Sequence, residues 1–215
     1  MRRMLIVLAL LASRTATAGE INGVLHVPAM AASAAAPQAY TGMAGAMPGM
    51  HEVRRGLPGD AVIYVDHDAA PDTASDPAPV PKLAQKDQMF VPRVVAVPVG
   101  GTVEFPNLDP IFHNVFSLSP VKRFDLGKYP RGHSKSVTFT RPGLVNVYCD
   151  IHSNMAAYVL VLPHRGFTRP DERGTFHLAL PAGHYVLEAW HPDLGETHVA
   201  VDVPTTGTVT AELSY

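Results

Sequence analysis

Short apolar runs with a two-residue period recur from residue 21 to the end of this chain. Phe176, Leu178 and Leu180 alternate with other residues, as do Val199, Val201 and Val203, and then Val209, Ala211 and Leu213. Successive side chains of a strand point to opposite faces, so this alternation predicts strands with one buried face. Further β-rich runs lie at 21–27, 61–65, 94–97, 102–105, 136–140, 144–149, 157–162 and 185–190. Apolar residues at helical spacing are almost absent. Turn-forming residues sit between the runs: Val99-Gly100-Gly101, Arg141-Pro142-Gly143 and Leu180-Pro181-Ala182-Gly183 read as hairpin connections. The expected fold class is all-β, assembled from β-sandwiches.

Three stretches fall outside this pattern. Met1-Arg2-Arg3, an apolar run from Leu5 to Ala12, and Ala16-Thr17-Ala18 form the three parts of a secretory signal peptide over 1–18. The run is too short for a membrane helix, which needs ~20 apolar residues, and no later stretch comes close. A mature chain from Gly19, exported to the periplasm of a Gram-negative source, is therefore expected. Residues 30–55, rich in Ala, Gly, Pro and Met, and 66–81, rich in Asp, Ala and Pro, lack the patterned apolar surface that offsets the entropy of ordering. They read as a flexible loop and a connector. Met30, Met43, Met47, Met50 and His51 in the first offer soft thioethers to Cu(I), although its Ala/Gly/Pro background favours a plain linker.

A net charge of -2 supplies no basic footprint for nucleic acid or anionic lipid. The single cysteine, Cys149, forms no internal disulfide, so an exported thiol here needs burial or a ligand. It stands in Tyr148-Cys149-Asp150-Ile151-His152-Ser153-Asn154-Met155. Val145, Val147 and Cys149 share parity, which puts the thiol on the same face as the valines at the end of a strand. His152 and Met155 follow in a tight loop, and His113 enters another strand after a turn in "NLDPIFHNVFS". One thiolate, two imidazoles and a thioether are the donor set of mononuclear blue-copper sites. Zinc more often takes a closed tetrahedral set of several Cys and His. Taken singly, a lone cysteine is usually a small buried apolar residue and a methionine beyond a histidine is usually core. The joint spacing points to one copper ion. The other histidines show neither His-x-His nor His-Glu-x-x-His spacing, and no nucleophile elbow, phosphate loop or paired-acid motif is present, so no enzyme is expected.

On these residues, about 82–163 resembles the cupredoxin family, with a Cys-x2-His-x2-Met loop particularly similar to that of the amicyanins. The resemblance implies His113, Cys149, His152 and Met155 as copper ligands, with Cu(I)/Cu(II) carrying single electrons. It implies that Asn114 helps tie the two ligand-bearing loops together. Asp150 replaces the Ser or Thr that often follows the cysteine, and a carboxylate there is expected to alter that tie and lower the potential. It also implies an apolar docking patch of Pro110, Ile111, Phe112, Ile151 and Ala156 for a redox protein such as a c-type cytochrome or a quinoprotein dehydrogenase. Cys149 is flanked by Tyr148 and Asp150, so the adjacent histidine that wires a second copper in multicopper oxidases and nitrite reductases is missing. A copper-binding or delivery protein and a non-catalytic structural β-module remain as alternatives.

Flanking segments resemble the carboxypeptidase regulatory-like, transthyretin-type sandwich: "GEINGVLHV" (19–27), "RGLPGDAVIYVD" (55–66) and "RGTFHLALPAGHYVLEAWHP" (173–192). The implied organisation is a split regulatory-like domain, 19–68 and 164–215, with a cupredoxin over 82–163 inserted in an early loop. Insertion is tolerable where the ends of a domain lie close together. In the other reading, strand 61–65 simply opens the cupredoxin. The chain as a whole also resembles bacterial proteins labelled methylamine utilisation proteins, a label that implies no particular role.

Overall fold

Strands make up nearly all regular structure in the computed structural model, which describes residues 18–28, 56–66 and 79–215. The expected signal peptide up to residue 17, the loop carrying Met30, Met43, Met47, Met50 and His51, and most of the 66–81 connector lie outside the described residues. In chain order the strands are β1 (Ala18–His26), β2 (Val62–Val65), β3 (Ala84–Lys86), β4 (Met89–Val91), β5 (Val94–Pro98), β6 (Thr102–Pro106), β7 (His113–Ser117) and β8 (Phe124–Tyr129). They continue with β9 (Ser134–Thr138), β10 (Gly143–Tyr148), β11 (Ala156–Leu162), β12 (Phe167–Thr168), β13 (Thr175–Pro181), β14 (Gly183–His191), β15 (Gly195–Val203) and β16 (Thr208–Ser214). A single 3-10 turn, Pro58–Asp60, is the helical element among the described residues, and no helix there is long and apolar enough to cross a membrane.

The alternating runs point inward as their period requires. Sheets β13-β1-β16 and β12-β2-β14-β15 face one another over a core that includes Ile21, Leu25, Ile63, Phe176, Leu178, Leu180, Val201, Val203, Ala211 and Leu213. β1 runs antiparallel to β13 and parallel to β16. At its centre Gly23 is required: a Cβ there would meet Phe176 Cζ at 2.1 Å and the Ala211 carbonyl oxygen at 2.6 Å. Gly23→Ala is expected to cost about 2–3 kcal/mol, measured by urea unfolding, because neither a packed ring nor a ladder carbonyl can yield that far.

Strands β3 to β11 build a second sandwich. Its main sheet has the order β5-β11-β10-β7-β8, and the ribbons β6-β9 and β3-β4 complete it. Val95, Val97, Val103, Phe105, Val115, Phe139, Val145, Val147, Val159 and Val161 fill the core, together with Cys149 and Met155. The chain leaves the first sandwich after β2 and re-enters it at β12, which pairs antiparallel with β2 through Tyr64–Phe167 and Ile63–Thr168.

The two sandwiches pack through the outward faces of their larger sheets. Val62 and Tyr64 of β2 meet Val94, Leu160 and Leu162 of β5 and β11, with Tyr158, Phe167 and Trp190 packed around them. This explains why Val62–Val65 is apolar at every position: the strand is buried on both faces. A polar lock closes the same junction. Arg93 donates Nη1 to Asp193 Oδ2 at 2.5 Å and Nη2 to Asp193 Oδ1 at 2.7 Å, and its Nη1 lies 3.5 Å from Asp60 Oδ2.

Candidate metal centre

Two separate segments bring the donor atoms together at one end of the second sandwich. β10 carries Val145 and Val147 along its inner face, and Cys149, the next residue after the strand, continues that face as a buried thiol. The chain then turns sharply: Met155 N–H bonds to the His152 carbonyl at 3.0 Å, and Cys149 N–H to the Met155 carbonyl at 3.3 Å. These bonds fold residues 149–155 back over the sulfur. β7 lies beside β10, with Phe116 opposite Tyr148, and places His113 at its own start on the same end.

The result is a triangle. His113 Nδ1 and His152 Nδ1 are 3.1 Å apart, and Cys149 Sγ lies 4.0 Å from the first and 3.9 Å from the second. His113, Cys149 and His152 form a potential metal-binding group among the described residues. Donor atoms this close could share one metal ion at ordinary bond lengths of about 2.0–2.3 Å. One thiolate and two imidazoles would suit copper, whereas structural zinc more often takes a closed set of several Cys and His. Met155 is buried at the end of the same turn.

A carboxylate fixes the first imidazole. His113 Nε2 lies 2.7 Å from Asp109 Oδ2, so Nε2–H donates there and Nδ1 is left as a lone pair facing the triangle. Asp109 is itself buried and accepts the amides of Asp87 at 2.6 Å and Gln88 at 2.9 Å. Burial works to raise its pKa, but the Gln88 amide, the His113 ring and the Asp87 amide outweigh it and hold the carboxyl below its usual value. His152 is pushed down, first by burial and then by His113 beside it, which favours a neutral, coordinating ring. Asp109 was not among the residues expected at the site. In sequence it is one acid in a turn, four residues before His113, and only the fold aims it. Asp109→Asn removes one of its charged acceptor oxygens; copper affinity is expected to fall about 10–100-fold in a chelator competition.

The remaining expected residues divide. Asn114 donates Nδ2 to Asp125 Oδ1 of β8 at 2.7 Å, and its buried Oδ1 has no hydrogen-bond partner among the described residues. Its side-chain amide thus ties β7 to β8. Asp150 is exposed, 3.8 Å from Lys128 Nζ, so its charge is directed to β8 and solvent. Pro110, Ile111, Phe112 and Ile151 are all exposed beside the two histidines in sequence, Phe112 at 57%. Leu108, exposed at 48%, adds apolar surface at the same turn that the sequence reading left out. Ala156 pairs with Tyr148 and also lines the cleft between the sandwiches together with Arg93, Asp60 and Met155.

Solved structures similar to part of this chain are copper proteins. A copper-containing nitrite reductase from Thermus scotoductus SA-01 is 29% identical over 45% of this chain, with a TM-score of 0.37; the match spans only 25% of that enzyme. A purple cupredoxin from Nitrosopumilus maritimus is 26% identical over 34% of this chain and 82% of its own, TM-score 0.33. A mutant amicyanin in the Cu(I) form is 23% identical over 37% of this chain and 79% of its own, TM-score 0.35. No family model and no curated protein matches the chain. All three TM-scores fall below 0.5; the chemistry open to the site is set by its own donor atoms.

Proposed function

We propose that this chain is an exported mononuclear copper protein that carries single electrons between redox partners in the periplasm. One observation carries the reading: a thiol and two imidazole nitrogens converge at 3.1, 3.9 and 4.0 Å at the end of a packed sandwich. Copper bound there would supply a one-electron couple that soft sulfur and borderline imidazole ligands stabilise in both states. Cys149, His113 and His152 would hold the ion, and Met155, buried at the end of the same turn, would be a further sulfur donor. Asp109 keeps the His113 ring in one tautomer. The core valines behind Cys149 hold the thiol in place and exclude water from it. His152 is only half-buried and offers an edge to a partner that docks on Ile111, Phe112 and Ile151.

On this reading β3–β11 is a cupredoxin inserted between β2 and β12 of a regulatory-like sandwich, and the partner is a redox protein such as a c-type cytochrome or a quinoprotein dehydrogenase. The chain is a carrier and not an enzyme, as the Tyr148 and Asp150 neighbours of Cys149 suggest. The test is copper titration of the purified chain followed by optical and EPR spectra. One equivalent of copper is expected to give an intense thiolate-to-copper absorption that ascorbate bleaches and oxidant restores. A chain that binds no copper, or binds it without a thiolate band, overturns the proposal.

A further inference from the structure

The turn between β3 and β4 is built at a conformational cost. Lys86 pairs with Met89, which leaves a two-residue connection of Asp87 and Gln88. Both take φ +53, and they are the non-glycine residues with positive φ among the described residues. A two-residue hairpin turn with positive φ at both positions ordinarily has glycine at the second. Asp87 tolerates the left-handed region better than most residues, since its short polar chain can bond locally; Gln88 does not. Both residues are exposed, so no core packing offsets the strain. The conformation instead aims two amides. Asp87 N–H donates to Asp109 Oδ1 at 2.6 Å and Gln88 N–H to Asp109 Oδ2 at 2.9 Å. Successive amides converging on one anion form a backbone nest. The same Oδ2 lies 2.7 Å from His113 Nε2. The backbone before Asp109 is stitched to the same ribbon, because Leu108 N–H donates to the Gln85 carbonyl of β3 at 2.9 Å.

We propose that the β3–β4 turn is a positioning element of the metal site: through Asp109 it presents a fixed negative charge to His113 Nε2–H and so biases bound copper toward Cu(II). The inference rests on the proposed copper reading, and it adds what sets the potential of the couple. A charged acceptor on Nε2–H makes Nδ1 a stronger donor. Stronger nitrogen donation favours Cu(II), whereas Cu(I) is held mainly by the soft sulfur. Without the two amides the buried carboxylate would keep too few partners and turn out toward water. The ring would then lose its charged acceptor. Asp87 and Gln88 thus act on the metal through a carboxylate and an imidazole, without touching it.

Spectroelectrochemistry of the copper-loaded full chain tests this as a double-mutant cycle. Asp109→Asn keeps an acceptor oxygen and removes the charge. Cu(II) affinity is expected to fall about tenfold more than Cu(I) affinity, which raises the potential by about 59 mV. Inserting a glycine on each side of Asp87-Gln88 lengthens the turn and is expected to raise the potential in the otherwise unaltered chain. In the Asp109→Asn background the same insertion is expected to add nothing, because its effect passes through that carboxylate. Additive shifts, or no shift in variants that keep the copper–thiolate band, overturn the positioning role and leave the copper reading standing. Amide hydrogen exchange supplies a second measurement that needs no altered turn. At least one of the Asp87 and Gln88 amides is expected to exchange about tenfold faster or more in Asp109→Asn than in the unaltered protein. Unchanged exchange at both overturns the clamp. A chain that never develops the copper–thiolate band fails before any potential is measured, and takes the proposed function with it.

Discussion

Cys149→Ser is expected to abolish the visible absorption of the copper-loaded protein and to lower copper affinity by more than about 100-fold, since losing even a partner of a ligand costs about 10–100-fold. The sulfur is the one soft, covalent donor in the triangle, and a serine hydroxyl at the same place neither absorbs by charge transfer nor holds Cu(I). Metal-free stability changes by a separate route. Cys149 is buried among Val145, Val147 and their neighbours, and a hydroxyl of similar size there costs about 1–3 kcal/mol. Differential scanning calorimetry with and without copper separates the two effects: the copper-dependent rise in Tm disappears, whereas the metal-free Tm shifts by a few degrees. Met155→Leu makes the contrast. This volume-conserving change in a buried position keeps the thiolate band and alters the reduction potential. A Cys149→Ser protein that retains the band and the copper-dependent rise removes the thiolate from the proposed site.

Much of this was legible because period and parity are robust signals. The runs ending at Leu180, Val203 and Leu213 each predicted an inward face, and each lies against the first core. The parity of Val145, Val147 and Cys149 likewise put the thiol among core residues. The strands missed by pattern were β3, β4, β8 and β12, all short or at an edge. β8, "FDLGKY", shows why: Gly127 adopts φ +64 and three of its six residues are charged or glycine, so no propensity marks it. Asp109 was missed for a different reason. Its role comes from the β3–β4 turn that donates two amides to it, a contact across about 20 residues of sequence, and no local spacing encodes such a contact. The junction left one readable trace, the unbroken apolar Val62-Ile63-Tyr64-Val65, which fits a strand covered on both sides.

That junction yields the second large effect, and it is asymmetric between two carboxylates. Asp193 takes both guanidinium bonds from Arg93, and the amide of Gly56 at 3.2 Å as well, with the Arg93 and Asp193 side chains 12% and 10% exposed. Asp60 sits 3.5 Å from the same guanidinium, also nearly enclosed. One positive charge thus serves two acids, and the better-bonded acid keeps it. Burial works to raise the Asp193 pKa, yet the bonds and charge of Arg93 outweigh it and hold it down. Burial raises the Asp60 pKa, and there the attractions of Arg93, His191 and Arg169 do not overcome it. Asp193→Asn is therefore expected to destabilise the fold by about 2–4 kcal/mol, because it strips a mostly buried guanidinium of its main partner. Asp60→Asn is expected to fall within about 1 kcal/mol of neutral, since it removes a charge that burial already disfavours. The pH dependence separates them by sign. A carboxyl with a depressed folded pKa stabilises above its unfolded value of about 3.9 and loses that contribution as pH falls through the folded value. The Asp193→Asn deficit is thus full at pH 7 and shrinks below about pH 4. Asp60, with its pKa raised, contributes in the opposite sense: its relative stabilisation is present below about pH 4 and is lost as pH rises through the folded value. Urea unfolding of both variants at pH 3.5 and pH 7 measures this, and equal losses from the two substitutions at pH 7 would show that Arg93 is shared evenly. The same guanidinium lines the cleft that reaches Met155. Loss of Asp193 is therefore expected to loosen the wall behind the proposed copper site, and any copper-dependent rise in Tm is expected to be smaller in Asp193→Asn than in Asp60→Asn.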